Sequence, residues 1–106
     1  MVTVLIMFGD PVDGAAFERH FDTSHLPLIA AIPGYDELVI HRTAAVVTGE
    51  APYRVVVELR FASEEAMRQG LNSDAGQRMA RDFGGFASGG VAVVLCNASV
   101  GLPGSA

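Results

Sequence analysis

The chain has 106 residues, one cysteine and a formal net charge of −5. That length fits a single domain, and an acidic chain without a Lys/Arg cluster excludes a nucleic-acid partner held through its phosphates. One cysteine excludes an internal disulfide, and no apolar run approaches the ~20 residues of a membrane helix, which points to a reducing cytoplasm and away from a membrane.

Taken in chain order, Val2 to Phe8 is short and rich in β-branched residues, and it stops at Gly9-Asp10-Pro11. It reads as a strand ended by a turn; it is too short, and lacks the basic flank, for a signal peptide. Asp13 is positioned to cap a helix starting near Gly14. Phe17, Phe21, Ser24 and Leu28 then recur at helical spacing. Pro27 has no N–H, and its ring clashes with the carbonyl four residues back, at Thr23. The helix is therefore expected to kink, or to end and restart, around Ser24 to Leu26, leaving backbone groups free beside His25. Pro33-Gly34 stops the apolar run Ile29 to Ile32.

Asp36 to Val47 holds a second strand around Leu38-Val39-Ile40-His41, and Thr48 to Pro52 a loop. Tyr53 to Phe61 alternates cleanly and predicts a third strand. Ser63 followed by Glu64-Glu65 opens a helix, with a capping hydroxyl and two carboxylates in the first turn. Asn72-Ser73-Asp74 interrupts it, and a further helix runs from Ala75 to Phe83 until Gly84-Gly85. Val91 to Cys96 is the last strand, and residues 101–106 form a tail expected to be flexible.

The order is β-α-β-β-α-β with the second helix split: an α+β, ferredoxin-like, four-stranded antiparallel sheet with both helices on one face, in one domain over residues 1–100. The uncovered face of such a sheet should be polar. Here Leu5 and Met7 oppose Val4 and Ile6, and Ala92, Val94 and Cys96 oppose Val91, Val93 and Leu95. With half the residues hydrophobic and a mean hydropathy of +0.35, both faces read as buried. A second copy of the sheet is the simplest cover, giving a homodimeric α+β barrel. On this reading Cys96 is an inert core thiol.

His25 is the first candidate for chemistry. An imidazole with a pKa near ~6.5 exchanges protons at neutral pH; the alternative is a ring that merely caps the broken turn. His20, five residues earlier, reads as a solvated surface histidine, and His41 faces a cavity or the dimer interface. Asp82, an acid near a helix end, is either a pocket acid or an Arg-paired carboxylate. The hydroxyls of Tyr35 and Tyr53 are candidates to orient a substrate. Phe21 and Phe83 are candidates to line an apolar pocket. Glu58 is placed to pair with Arg60 or Arg54. Asp22 and His25 lie three apart and within reach of each other, but the spacing makes no specific metal motif, and the glycine pairs precede a strand rather than a phosphate-binding helix.

These residues carry a resemblance. The apolar first strand, Asp13 to Phe17, the block Phe21 to Leu28 around His25-Leu26-Pro27-Leu28, and Ile32-Pro33-Gly34 come first. Pro52-Tyr53, Glu58 to Ser63, Ser73 to Gly76 and Asp82-Phe83 complete it. In this order and spacing the chain resembles the EthD family of dimeric α+β barrel proteins. The resemblance implies a homodimer, a pocket between sheet and helices, and His25 as the family's characteristic histidine. It also implies a place among cofactor-free monooxygenases, isomerases and dehydratases. The expected activity is thus a small cofactor-free enzyme acting on an apolar, cyclic or aromatic small molecule, with His25 as general acid/base assisted by Asp82. The alternative is a non-catalytic protein that binds a hydrophobic metabolite or supports a pathway enzyme. The lack of tryptophan and the short loops depart from the family's usual pattern and leave the substrate open.

Overall fold

A computed structural model describes residues 1–50 and 53–104. Ala51 and Pro52 of the expected third loop, and the last two residues of the expected tail, lie outside the described residues. Strands β1 (Val2–Gly9), β2 (Glu37–Arg42), β3 (Tyr53–Phe61) and β4 (Val91–Cys96) form one antiparallel sheet in the order β2-β3-β1-β4. Helical segments α1 (Gly14–His20) and α2 (Leu26–Ala30), and helices α3 (Glu64–Asn72) and α4 (Asp74–Phe86), supply the crossovers. The ferredoxin-like reading of the pattern stands.

The core follows from the alternation of the strands. Val4, Ile6 and Phe8 of β1 meet Val55, Val57, Leu59 and Phe61 of β3 on the helix-covered face, all fully buried. Capping also follows the sequence: Asp13, Ser63 and Ser73 accept the N–H groups of Ala16, Ala66 and Gly76. The corner between α3 and α4 depends on Gly76, where a Cβ would sit 2.3 Å from the Leu71 carbonyl oxygen. At the other end, β1 and the approach to β4 touch through glycines: Gly9 donates to the Gly90 carbonyl, and a Cβ on Gly9 would lie 2.1 Å from that of Gly89.

The first crossover keeps the expected restart but not by a gap: α1 ends at His20 and α2 starts at Leu26, just before Pro27. Phe21–His25 forms one turn of π-helix between them, with the Leu26 N–H bonded five residues back to Phe21. The buried positions are Phe17, Phe21, His25 and Ile29, spaced strictly by four, while Ser24 is exposed. In an α-helix of 3.6 residues per turn, each step of four overshoots by about 40°. Three such steps would carry Ile29 off the core face. The wider π-turn absorbs the surplus, so His25 points inward; Leu28 packs against the edge of the core, and Ser24 is the expected position that leaves it. The chain stays helical through the turn.

β2, Glu37–Arg42, sits on the expected Leu38-Val39-Ile40-His41. One boundary moves. α4 runs through Gly84-Gly85 to Phe86, because a glycine pair weakens a helix without terminating it, and the Phe86 ring gains a packed position. The positive φ that turns the chain is at Gly90.

β4 is an edge strand that the helices only partly cover. Val91 packs on the core, but Val93, Val94 and Leu95 are exposed. On the outer face, Leu5 and Met7 pair with Val94 and Ala92, beside Val56 and Val39. This apolar stripe is flanked by a polar cluster in which Glu58 accepts from His41 at 2.6 Å and from Arg60 at 3.3 Å, with Arg60 also bonded to Glu37. Arg54 is not a partner of Glu58; it reaches Glu18 on the other face. Cys96 is half-buried on the outer face beside Thr3 and lines a cleft there, so it is not a core thiol. Residues 101–104 are exposed and carry no regular structure. Among the described residues, no helix is long and apolar enough to cross a membrane.

Candidate functional site

The π-turn and α4 bring two histidines to one carboxylate. Asp82 Oδ2 lies 2.8 Å from His25 Nδ1 and 2.8 Å from His20 Nε2. An ionised carboxylate only accepts, so each histidine donates to it. A neutral His25 therefore carries its proton on Nδ1 and leaves the Nε2 lone pair bare. That Nε2 is buried and has no hydrogen-bond partner among the described residues. Around the ring stand Phe8, Phe21, Phe83 and Phe86, with centroids 5.5, 6.1, 5.2 and 4.6 Å away.

The electrostatics keep the ring a base. Burial pushes the His25 pKa below 6.5; the hydrogen bond and charge of Asp82 recover part of the shift, and the charge of His20 opposes that recovery. For Asp82, burial pushes the carboxyl up, but the hydrogen bonds and charges of His20 and His25 together outweigh it and hold the group below its usual range. At neutral pH the pair is an imidazole and a carboxylate. A proton accepted at Nε2 would give an imidazolium already paired with Asp82.

The residues singled out from the sequence divide into two groups. His25, Asp82, Phe21 and Phe83 come together. Tyr35 and Tyr53 do not join them: the Tyr35 hydroxyl donates to the Ala30 carbonyl, and Tyr53 lines a separate cleft with Asp10, Glu18, Arg42 and Arg54. Asp22 turns away from His25 to Arg42, whose guanidinium also lies over the outer side of the Phe21 ring. His20 is not a solvated surface residue; it is tied to Asp82 and stacked on Phe86. The missed signal was the four-residue spacing of Phe17, Phe21, His25 and Ile29, which requires a widened turn and moves His20 and His25 to the same carboxylate. Among the described residues, no group of three His, Cys, Asp or Glu side chains has the arrangement of a metal site.

The pocket expected between sheet and helices is largely filled by rings. A cleft of about 340 Å³ opens beside them, lined by Phe17, His20, Gly85, Phe86 and Ser88 among others, but His25 is not on its wall.

The family model described as REDY-like protein HapK matches residues 1–98. The chain belongs to that family. A relative from Rhodococcus erythropolis, described as an uncharacterized 11.0 kDa protein in the thcB-thcC intergenic region, is 30% identical over 97% of this chain and 100% of its own. The resemblance to EthD proteins also holds. An ethyl tert-butyl ether D (EthD) family protein from Bacillus halodurans shares the fold at a TM-score of 0.85, with 24% identity over 93% of this chain and 99% of that one. SnoaB from Streptomyces nogalater, described as a cofactor-independent oxygenase, matches with a TM-score of 0.68 and 19% identity, covering 97% of each chain. A dimeric ferredoxin-like protein from Jannaschia matches with a TM-score of 0.72 and 15% identity over 92% of this chain and 98% of that one.

Proposed function

We propose that this member of the HapK family is a small enzyme that works without a cofactor. It would use His25 as general base, and then as general acid, on an apolar cyclic or aromatic molecule. The observation that carries this reading is the bare, buried Nε2 of a histidine whose Nδ1 is held by a carboxylate. A folded core has no structural use for an unsatisfied ring nitrogen, which costs about 1–3 kcal/mol. Such a group is worth keeping where a substrate proton is to be taken. Asp82 fixes the tautomer and stabilises the imidazolium. Removal of an O–H or acidic C–H proton leaves an electron-rich anion. That anion is the common start of isomerisation, of dehydration, and of reaction with dioxygen as co-substrate. The cofactor-independent oxygenase of the same fold supports this range by analogy of fold alone.

The test is turnover of a panel of hydroxylated fused-ring aromatics in air, followed by mass spectrometry. His25→Gln keeps an amide for Asp82 but cannot carry the proton. It is expected to stay folded by circular dichroism and to lose at least 100-fold in kcat/KM. Turnover unchanged by His25→Gln removes the histidine from the mechanism. A second reading is a non-catalytic binding protein, and it has one observation in its favour: the Nε2 is buried in a ring packed among four aromatic side chains, and the adjoining cleft does not reach His25. Binding of a panel member by the wild type without any turnover would select it.

The partner in this proposal is a second copy, docked through the outer sheet face and burying Leu5, Met7, Val56 and Val94. The dimeric neighbour of the same fold supports a dimer; the apolar outer face is what points to the surface used. It leaves the helices and the His20 cleft outward. Sedimentation equilibrium at micromolar concentration is expected to give twice the chain mass, and a monomer there refutes the dimer. A cytoplasmic location completes the proposal.

A further inference from the structure

Phe86 holds a position that the base chemistry alone does not explain. It is a ring that both lines the open cleft and touches His25. Its centroid is 4.5 Å from that of His20 with the planes 26° apart, and 5.2 Å from that of Phe17 at 27°. It also lies 5.6 Å from Phe8 and 4.6 Å from His25. The ring thus stacks on two side chains of α1 and stands against both the cleft it lines and the His25 imidazole. It is only half-buried.

The backbone around it is built to move. Phe86 is the last residue of α4, preceded by Gly84-Gly85 and followed within four residues by Gly89-Gly90. Gly84 and Gly85 are exposed, and a Cβ on either would meet nothing within 4 Å. No packing therefore demands glycine there, and neither has a positive φ. What two glycines bring to the final turn of a helix is torsional freedom.

We propose that Phe86 is the gate and the specificity residue of the His25 site. When its ring swings into the cleft, it vacates a slot one aromatic ring wide, walled by His20 and Phe17 and ending on His25 Nε2. The slot accepts a planar aromatic ring in place of Phe86, with a hydroxyl directed at Nε2 as the donor. The idea rests on His25 as the base, and it adds why the base is closed in the resting protein. Affinity in such a site is reduced by the fraction of molecules that are open, so the stiffness of the Gly84-Gly85 turn sets the apparent affinity.

Diethyl pyrocarbonate labelling of the full chain at pH 7, resolved by peptide mass spectrometry, reads access to His25 Nε2 directly. N-acetylhistidine added to the same mixture serves as the reference. With a working gate, wild-type His25 is labelled at least tenfold more slowly than N-acetylhistidine, yet faster than global unfolding measured separately. Phe86→Ala raises the His25 rate at least tenfold. Because Phe86→Ala also removes packing, the paired substitution Gly84→Ala with Gly85→Ala is the sharper arm: it stiffens the turn without a clash. It is expected to lower the His25 rate severalfold with the N-acetylhistidine rate unchanged, and phenol at millimolar concentration is expected to protect His25. Labelling of wild-type His25 only at the unfolding rate, a rate untouched by the glycine substitutions, or no protection by phenol each overturns the gate. Access is measured here, not proton transfer. Turnover that survives His25→Gln would therefore refute the base while the labelling result stood.

Discussion

Phe8→Ala is expected to lower the free energy of unfolding by about 3–5 kcal/mol. Phe8 is fully buried in β1, and its ring meets Phe17, Phe21, His25, Phe83 and Phe86 at centroid distances of 5.6, 5.7, 5.5, 5.8 and 5.6 Å. Most of these contacts are edge-to-face, the arrangement that adds to simple burial. The strand cannot move to close the space, because β1 is central and paired on both sides by β3 and β4. For a domain whose whole stability is about 5–15 kcal/mol, this is a large share. Urea denaturation at fixed protein concentration, so that subunit association does not enter the difference, checks it through a lower midpoint at constant slope. Phe8→Leu, which retains an apolar filler, should cost less than half as much. A loss under about 1 kcal/mol for the alanine variant would mean that the ring cluster is not the centre of the core.

The same cluster shows which parts of the structure could be read from the chain. The strands were legible because alternation in Tyr53 to Phe61 and in Val2 to Phe8 has one physical solution, a sheet with one buried face. The caps at Asp13, Ser63 and Ser73 were legible because each hydroxyl or carboxylate precedes a run with unpaired N–H groups. His25 and Asp82 were legible as separate candidates, and their contact was not. They lie 57 positions apart, and the pairing depends on a π-turn whose cause, a four-residue spacing of large side chains, looks like ordinary helical periodicity. Pro27 marks where the α-helix restarts, at Leu26, but a missing N–H alone does not distinguish a kink from a widened turn. His20 was misread because five residues from His25 is off-face in an α-helix, but not across a π-turn.

Asp82→Asn tests the electrostatics of the site without a known substrate. The amide keeps an acceptor oxygen for the two histidines and loses the charge. Hydrogen bonds to a charged group are worth about 1.5–3 kcal/mol, so a stability loss of about 2–3 kcal/mol at pH 8 is expected. The pH dependence carries the sharper information. In the wild type, the folded His25 pKa lies below its unfolded value of 6.5. The unfolded chain then binds more protons, and stability falls as pH drops below 6.5 toward the folded pKa. Asp82 is also depressed, below 3.8, and its share is lost only as pH falls below that value. The substitution abolishes the second window and deepens the first. Asp82 raises the His25 pKa through its hydrogen bond and charge, so its removal lets burial depress the ring further and widens the pH range over which protonation opposes folding. Nitrogen-detected titration of the His25 ring should place its midpoint lower in Asp82→Asn than in the wild type. The melting temperature should fall more steeply from pH 6.5 to pH 4.5. A midpoint that stays put or rises would show that Asp82 does not support the protonated ring. In that case the carboxylate would merely orient His25, with no part in stabilising the imidazolium on which acid/base turnover depends.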